Sequence, residues 1–207
     1  MTQRFDPVPI CRGAQAGFTM IEILITFVVL LVGLLGLIGL QARTQQAELE
    51  SYQRGQALVL LQDMVDRMNA NRTESKNGGY TTGTTTPLGG GTTAADCTLV
   101  AAGAARDKCE WGNLLNGAAE RDTGANLIGA MLGARGCILY DVLSELPDSS
   151  GTAIAGTGIH RITIAWQGVG KGATALAAND CGEGLYPSED HRRLVTATLR
   201  IGALRAQ

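Results

Sequence analysis

The sequence has 207 residues, a formal charge of −2, 28 glycines and only 4% aromatic residues. That length suits one domain plus an anchor, and the glycine content points to a loop-rich globular part. The near-neutral charge excludes the strongly basic footprint of a nucleic-acid-binding domain.

The chain opens on a polar stretch holding Arg4, Asp6, Cys11 and Arg12, and this stretch ends at Gly17. From 18 to 42 there is no Lys, Arg, Asp, Asn or Pro, and the one charge is Glu22. A helix rises about 1.5 Å per residue, so the apolar stretch 21–40 reaches about 30 Å, the thickness of a hydrocarbon core. Arg4 and Arg12 precede it, which places the N-terminus inside the cell. The run is longer than the apolar core of a secretory signal, and no Ala-x-Ala site closes it, so the chain reads as retained in the membrane. A carboxylate at the mouth of such a helix costs roughly 2.5–3.5 kcal/mol on insertion scales and calls for a reason.

Gly17-Phe18-Thr19-Met20-Ile21-Glu22 followed by this run resembles the class III signal of type IV pilins and pseudopilins, with Met20 where Leu is commonest. Beyond the run, the chain most resembles the minor pilins of the PilV (type IV pilus modification protein) group. The resemblance implies an α+β type IV pilin-like fold, a long N-terminal helix packed on an antiparallel sheet. It implies a leader at 1–17, cut by prepilin peptidase between Gly17 and Phe18 on the cytoplasmic side, and methylation of the new amine of Phe18. Glu22 would then pair with the N-terminal amine of a neighbouring subunit. The partners implied are the inner membrane, the peptidase, other pilins (major and minor) and a tip adhesin.

The four expected regions are the leader 1–17, a membrane-spanning or filament-core helix 18–42, an amphipathic continuation 43–76, and a periplasmic or extracellular head 77–207. In the continuation, Leu58, Leu61, Val65 and Met68 fall at helical spacing with Met64 on their flank, as core filling. Gly33, Gly36 and Gly39 interrupt the span, each costing about 0.8–1 kcal/mol relative to Ala. They suit either close helix packing or a segment that melts on leaving the bilayer. Asn77-Gly78-Gly79 stops the helix.

The stretch 80–95, rich in Thr and Gly with Pro87, reads as a loop, with or without a short extended piece. Its glycines are not followed by Lys-Ser or Lys-Thr, so no phosphate loop is present. Around Trp111, Leu114 and Leu115 the pattern predicts short helical turns. Strands are predicted at 137–143, 160–166 and 194–201. In 160–166, Ile162, Ile164 and Trp166 share one face and Arg161 and Thr163 the other. In 194–201, Val195, Ala197, Leu199 and Ile201 oppose Thr196, Thr198 and Arg200. Both alternations predict half-buried antiparallel strands.

Without Cys11 four cysteines remain, Cys97, Cys109, Cys137 and Cys181, and an even number facing an oxidising compartment points to two disulfides. Three connectivities are open. Cys97 with Cys109 and Cys137 with Cys181 is favoured, because one pair closes a local loop and the other pins the long final loop to the sheet. Zinc is the rival, but no Cys-x-x-Cys pair occurs.

For catalysis only His160 and His191 are available as histidines, and no nucleophile motif surrounds a Ser or Cys. Glu189-Asp190-His191-Arg192-Arg193 reads as a solvated turn. Asp180 and Glu183 are a faint calcium candidate. Neither a metal nor a cofactor is expected. The leading expectation is therefore a non-enzymatic minor pilin that primes or modulates pilus assembly, adhesion or motility. It would wait in the inner membrane with its head in the periplasm and end in a surface fibre. The alternatives are a pseudopilin of a type II secretion system and a signal-anchored periplasmic binding module or enzyme.

Overall fold

The structure, a computed structural model, describes residues 17–91, 93–117, 131–172 and 180–202. Arg4, Asp6, Cys11 and Arg12, most of the glycine-punctuated stretch after Asn116, and part of the long final loop lie outside the described residues. The chain divides into two units, Met1–Thr44 and Gln45–Gln207.

Helix α1, Met20–Ala70, is 51 residues long and runs through both units. In the first unit it carries nothing but exposed residues from Met20 onward. It is the one helix among the described residues long and apolar enough to cross a membrane. A continuous helix forms here because its hydrogen bonds are local and no Pro removes one. A Cβ added at Gly33, Gly36 or Gly39 would meet nothing within 4 Å.

In the second unit, α1 buries Ala57, Leu61, Met64 and Met68. This corrects the expected stripe: Leu58 is 49% exposed, and Val65 only flanks the core. The spacing of four, three and four residues is helical either way. Ala57, fully buried, belongs to the stripe that faces the core. Met64 and Met68 fill the core, both fully buried. A short helix α2, Arg72–Lys76, follows α1.

Strand β1 is only Leu88–Gly89, a short extended piece inside the loop 80–95. The region around Trp111 is one helix, α3, Ala104–Leu115, rather than separate turns. Its indole lies fully buried and donates to the carbonyl of Leu60 on α1 at 2.8 Å. That contact across the chain holds a helix which local propensity alone leaves short.

Strands β2 (Leu132–Asp141), β3 (Ile159–Gln167) and β4 (Arg192–Arg200) complete an antiparallel sheet in the order β1-β2-β3-β4. Strand β2 starts five residues before the expected 137, and a register shift lies between Leu132 and Arg135. The residues after Asp141 form a 3-10 turn, Val142–Ser144, instead of continuing the strand. The long N-terminal helix thus packs on a four-stranded antiparallel sheet, with Ile138, Ile162 and Ile164 facing α1 and α3 in one core.

Strand β3 departs from its expected half-burial. Thr163 and Ala165, on the face opposite Ile162 and Ile164, are also buried, at 2% and 0% exposure. The cover is the final loop: Cys181 and Tyr186 pack with Cys137, Ala165 and Leu194.

Candidate functional site

The N-terminal site is built by the start of α1. Thr19 precedes the helix, and the Glu22 amide donates to Thr19 Oγ1 at 3.3 Å and to its carbonyl at 3.1 Å. Thr19-Met20-Ile21-Glu22 has the spacing of a capping box, a signal the sequence carried but the expectations did not use. Glu22 lies in the first turn, where the helix dipole favours an anion by about 0.3–1 kcal/mol. Its carboxylate makes no hydrogen bond or ion pair among the described residues. Gly17 and Phe18 precede the helix; Phe18 is 81% exposed, and no atom lies within 4 Å of a Cβ built on Gly17. Gly17, Phe18 and the lone acid Glu22 thus stand within six residues, all accessible.

Two family comparisons bear on this segment. The prokaryotic N-terminal methylation motif matches residues 12–38. The model of type IV pilin Tt1218 matches residues 39–116, the rest of α1 and the chain through α3. Across residues 12–116 the chain is thus similar to type IV pilins. No curated protein and no solved structure matches it. The pilin family is structural rather than enzymatic.

The head of this pilin-like protein is held by its cysteines and by buried charge. Cys97 bonds Cys109 across 12 residues, and Cys137 on β2 bonds Cys181 across 44. Sequence left three connectivities open, and the fold supplies this one by bringing the final loop over β2 and β3.

Glu189 to Arg193 is not the solvated turn expected. Arg192 is 3% exposed, donates to Glu189 Oε2 at 2.5 Å, and reaches the carbonyl of Cys181 at 3.0 Å. The backbone N–H of Gly184 and the Arg192 guanidinium hold the Glu189 carboxyl below its usual range. Arg193 donates to Glu50 on α1 at 2.9 Å. These two arginines tie the final loop to the sheet and the sheet to the helix. Nothing local in the sequence marks them, because their partners lie far away along the chain. Tyr186 belongs to the same cover; burial pushes its hydroxyl up to about 12, and it donates to the Gly133 carbonyl at 3.0 Å.

The neighbouring Ser188, Asp190 and His191 carry the residue types of a hydrolytic triad in the wrong arrangement. The Ser188 hydroxyl donates to Asp190, and the same hydroxyl meets His191 Nδ1 at 2.7 Å. Asp190 also approaches Nδ1, at 3.4 Å, so acid and hydroxyl share one ring nitrogen. In a triad the acid must bind the far nitrogen, leaving the other to take the serine proton. The cluster is a hydrogen-bonded 3-10 turn, Glu189–His191.

His160 is fully buried beside Tyr140, with ring centroids 4.8 Å apart. Its Nε2 lies 3.0 Å from the Ser75 carbonyl, which can only accept, so Nε2 carries the proton. Burial pushes its imidazole below the usual histidine range. Between α1 and α3, Arg67 bonds Asp63, Asp107 and Glu110, while Tyr80 donates to Asp107. Burial first, then Asp107, pushes the Tyr80 hydroxyl up to about 12. Among the described residues no group of three His, Cys, Asp or Glu side chains could hold a metal ion, and Asp180 and Glu183 form none.

Proposed function

We propose that this chain is a minor pilin. Residues 1–17 are a leader that prepilin peptidase removes between Gly17 and Phe18, after which the Phe18 amine is methylated. Residues 18–42 hold the mature subunit in the inner membrane, 43–76 continue the helix, and 77–207 form a periplasmic head. On assembly the subunit joins major and minor pilins in a surface fibre, in contact with a tip adhesin. There it primes or modulates pilus assembly and the adhesion or motility that depends on it.

One observation carries this reading: the methylation motif, an uncompensated carboxylate and an anchor helix with every face exposed coincide at one place. When such helices pack together, an isolated buried charge costs several kcal/mol unless it is paired. Leader removal creates a cation at Phe18, and a neighbouring subunit brings that cation to Glu22.

Mass spectrometry of the chain from membranes and from sheared surface fibres tests the proposal. The expected product begins at N-methylated Phe18 and is present in fibres, and Gly17→Glu keeps the leader attached, visible as an unshifted gel band. A native N-terminus upstream of Phe18 refutes the processing and favours a signal-anchored periplasmic module. A methylated chain that is absent from fibres and required for protein secretion belongs to a type II secretion machine instead.

A further inference from the structure

The two edges of the sheet differ. Strand β1 closes one edge with two residues, whereas β4 leaves the other open along nine among the described residues. Its register on β3 runs without a shift from Arg192 to Arg200. The Gly168 N–H donates to the His191 carbonyl at 2.8 Å, which fixes the phase of that ladder. Counting in twos from this pair, Arg193, Val195, Ala197 and Leu199 spend their backbone groups on β3. Leu194, Thr198 and Arg200 turn their N–H and C=O groups to the open side, where no strand among the described residues meets them. Thr198 and Arg200 are exposed. A long, unbulged edge of this kind is a template for another strand, and proteins usually blunt it.

Helix α1 runs beside this edge and makes it a groove. At one end of β4, Arg193 donates to Glu50 at 2.9 Å; at the other, Arg72, just beyond α1, donates to the Gly202 carbonyl at 3.0 Å. From Glu50 the helix runs about 30 Å to its end, and β4 with the residues after it covers about the same length. A cavity of about 340 Å³ at the first end is lined by Glu50, Ser51, Arg54, Trp166, Arg193 and Leu194. Leu58, one turn beyond Arg54 on the same helix face, is 49% exposed. Glu50 is neutralised by Arg193, whereas Arg54, Arg72 and Arg200 make no ion pair among the described residues. The groove is therefore cationic at both ends, with an apolar helix flank between them.

We infer that the β4 edge takes up an extended strand of a protein other than this chain, with acidic side chains at its ends and apolar ones between. Pairing with the outward groups of Leu194, Thr198 and Arg200 supplies affinity, and the side chains that enter the groove supply selectivity. One carboxylate meets Arg54 at the cavity, a second meets Arg200 and Arg72, and the apolar side chains between them lie against Leu58. A second copy of this chain does not fit. Strand β4 has arginines at both ends and no acidic residue, so two β4 edges offer each other like charges in either direction. The charges that bar self-pairing are the ones that attract an acidic strand. The site goes beyond the minor-pilin reading and stands whichever assembly the chain joins.

Titration of the full chain in detergent with a synthetic peptide tests it. The probe matches the nine residues of β4, with Glu at both ends, Val at every second place between and Thr at the rest, acetylated and amidated. It should bind, and slow the exchange of the Leu194, Thr198 and Arg200 amides read by nuclear magnetic resonance. Replacing both its Glu by Lys should weaken binding about tenfold. Arg54→Glu, at an exposed position, should weaken it about fivefold. Thr198→Pro removes an outward N–H and no ladder bond, so it should abolish binding while the β3–β4 ladder amides stay protected. Two N-methylated peptides, one at the odd and one at the even places, make the same test without touching the protein: only one of them should bind. No binding, equal binding of the Glu and Lys peptides, binding of both N-methylated forms, binding that leaves the three amides unprotected, or self-pairing through β4 that excludes the peptide overturns the proposal.

Discussion

Gly136→Ala tests the packing of α3 on the sheet. Gly136 is buried on β2, and a Cβ built there would lie 2.1 Å from Cζ3 and 2.3 Å from Cη2 of Trp111, and 2.8 Å from Cδ1 of Leu115. Ordinary contact begins near 3.4 Å, so the indole must retreat by over an ångström. It has nowhere to go, because Trp111 is fully buried and its Nε1 is held by the Leu60 carbonyl at 2.8 Å. Overpacking of this kind costs about 1–3 kcal/mol, and breaking the indole hydrogen bond leaves a buried donor worth about 1–3 kcal/mol. The alanine recovers about 0.4–1 kcal/mol by restricting the unfolded chain. The net loss is about 2–4 kcal/mol, a fall in Tm of about 5–15 °C for a domain of this size. Thermal unfolding of the full chain in detergent, followed by near-ultraviolet circular dichroism, reads both the Tm and the aromatic packing. Gly170→Ala is the control: its Cβ meets nothing within 4 Å, and a shift within about 0.5 kcal/mol is expected. A Gly136→Ala chain as stable as the parent, with an unchanged aromatic signal, would refute the account of how α3 is held.

Glu22→Lys should leave the membrane level of the protein unchanged and cut its incorporation into sheared fibres about tenfold or more, since a buried pair becomes a repulsion of several kcal/mol; normal incorporation contradicts the charge pairing. Replacing Cys137 and Cys181 by Ser should cost about 4 kcal/mol, the loop-closure entropy of a 44-residue crosslink, with the loss read from the urea midpoint. An unchanged midpoint would mean that the final loop is held without the bond. His160 gives a pH dependence of defined sign. Its imidazole titrates lower in the folded than in the unfolded chain, so the unfolded state binds more protons as pH falls through the usual histidine range. Its contribution is complete above about pH 6.5 and is lost below it, whereas the hydrogen-bonded carboxyls of Glu145, Asp148, Glu189 and Asp190 lose theirs only in stronger acid. Urea midpoints between pH 8 and pH 5.5 should fall for the parent and stay flat for His160→Asn; parallel curves would remove His160 as the cause.

The anchor was legible without any structure because each step in it is local. An uninterrupted apolar run forms its own hydrogen bonds, Thr19 and Glu22 sit at capping distance, and residue order alone places a carboxylate at the mouth of the span. The alternation of Val195, Ala197 and Leu199 was legible for the same reason, since a strand repeats every two residues whatever it packs on. What covers an element is not local. The second face of β3 alternates like a solvated one, yet Thr163 and Ala165 are buried because a loop arriving some 15 residues later is fastened over them. Glu189 to Arg193 reads as a charged turn, yet Arg192 is buried because the Cys181 carbonyl is delivered to it by that same loop. The buried stripe of α1 includes Ala57, which carries little hydrophobic signal and is buried only because the head packs over that face. The sequence determined the anchor, the start of the helix and which cysteines could pair. Tertiary structure decided which of those pairs formed, which charges were buried, and which apolar residues were left facing outward.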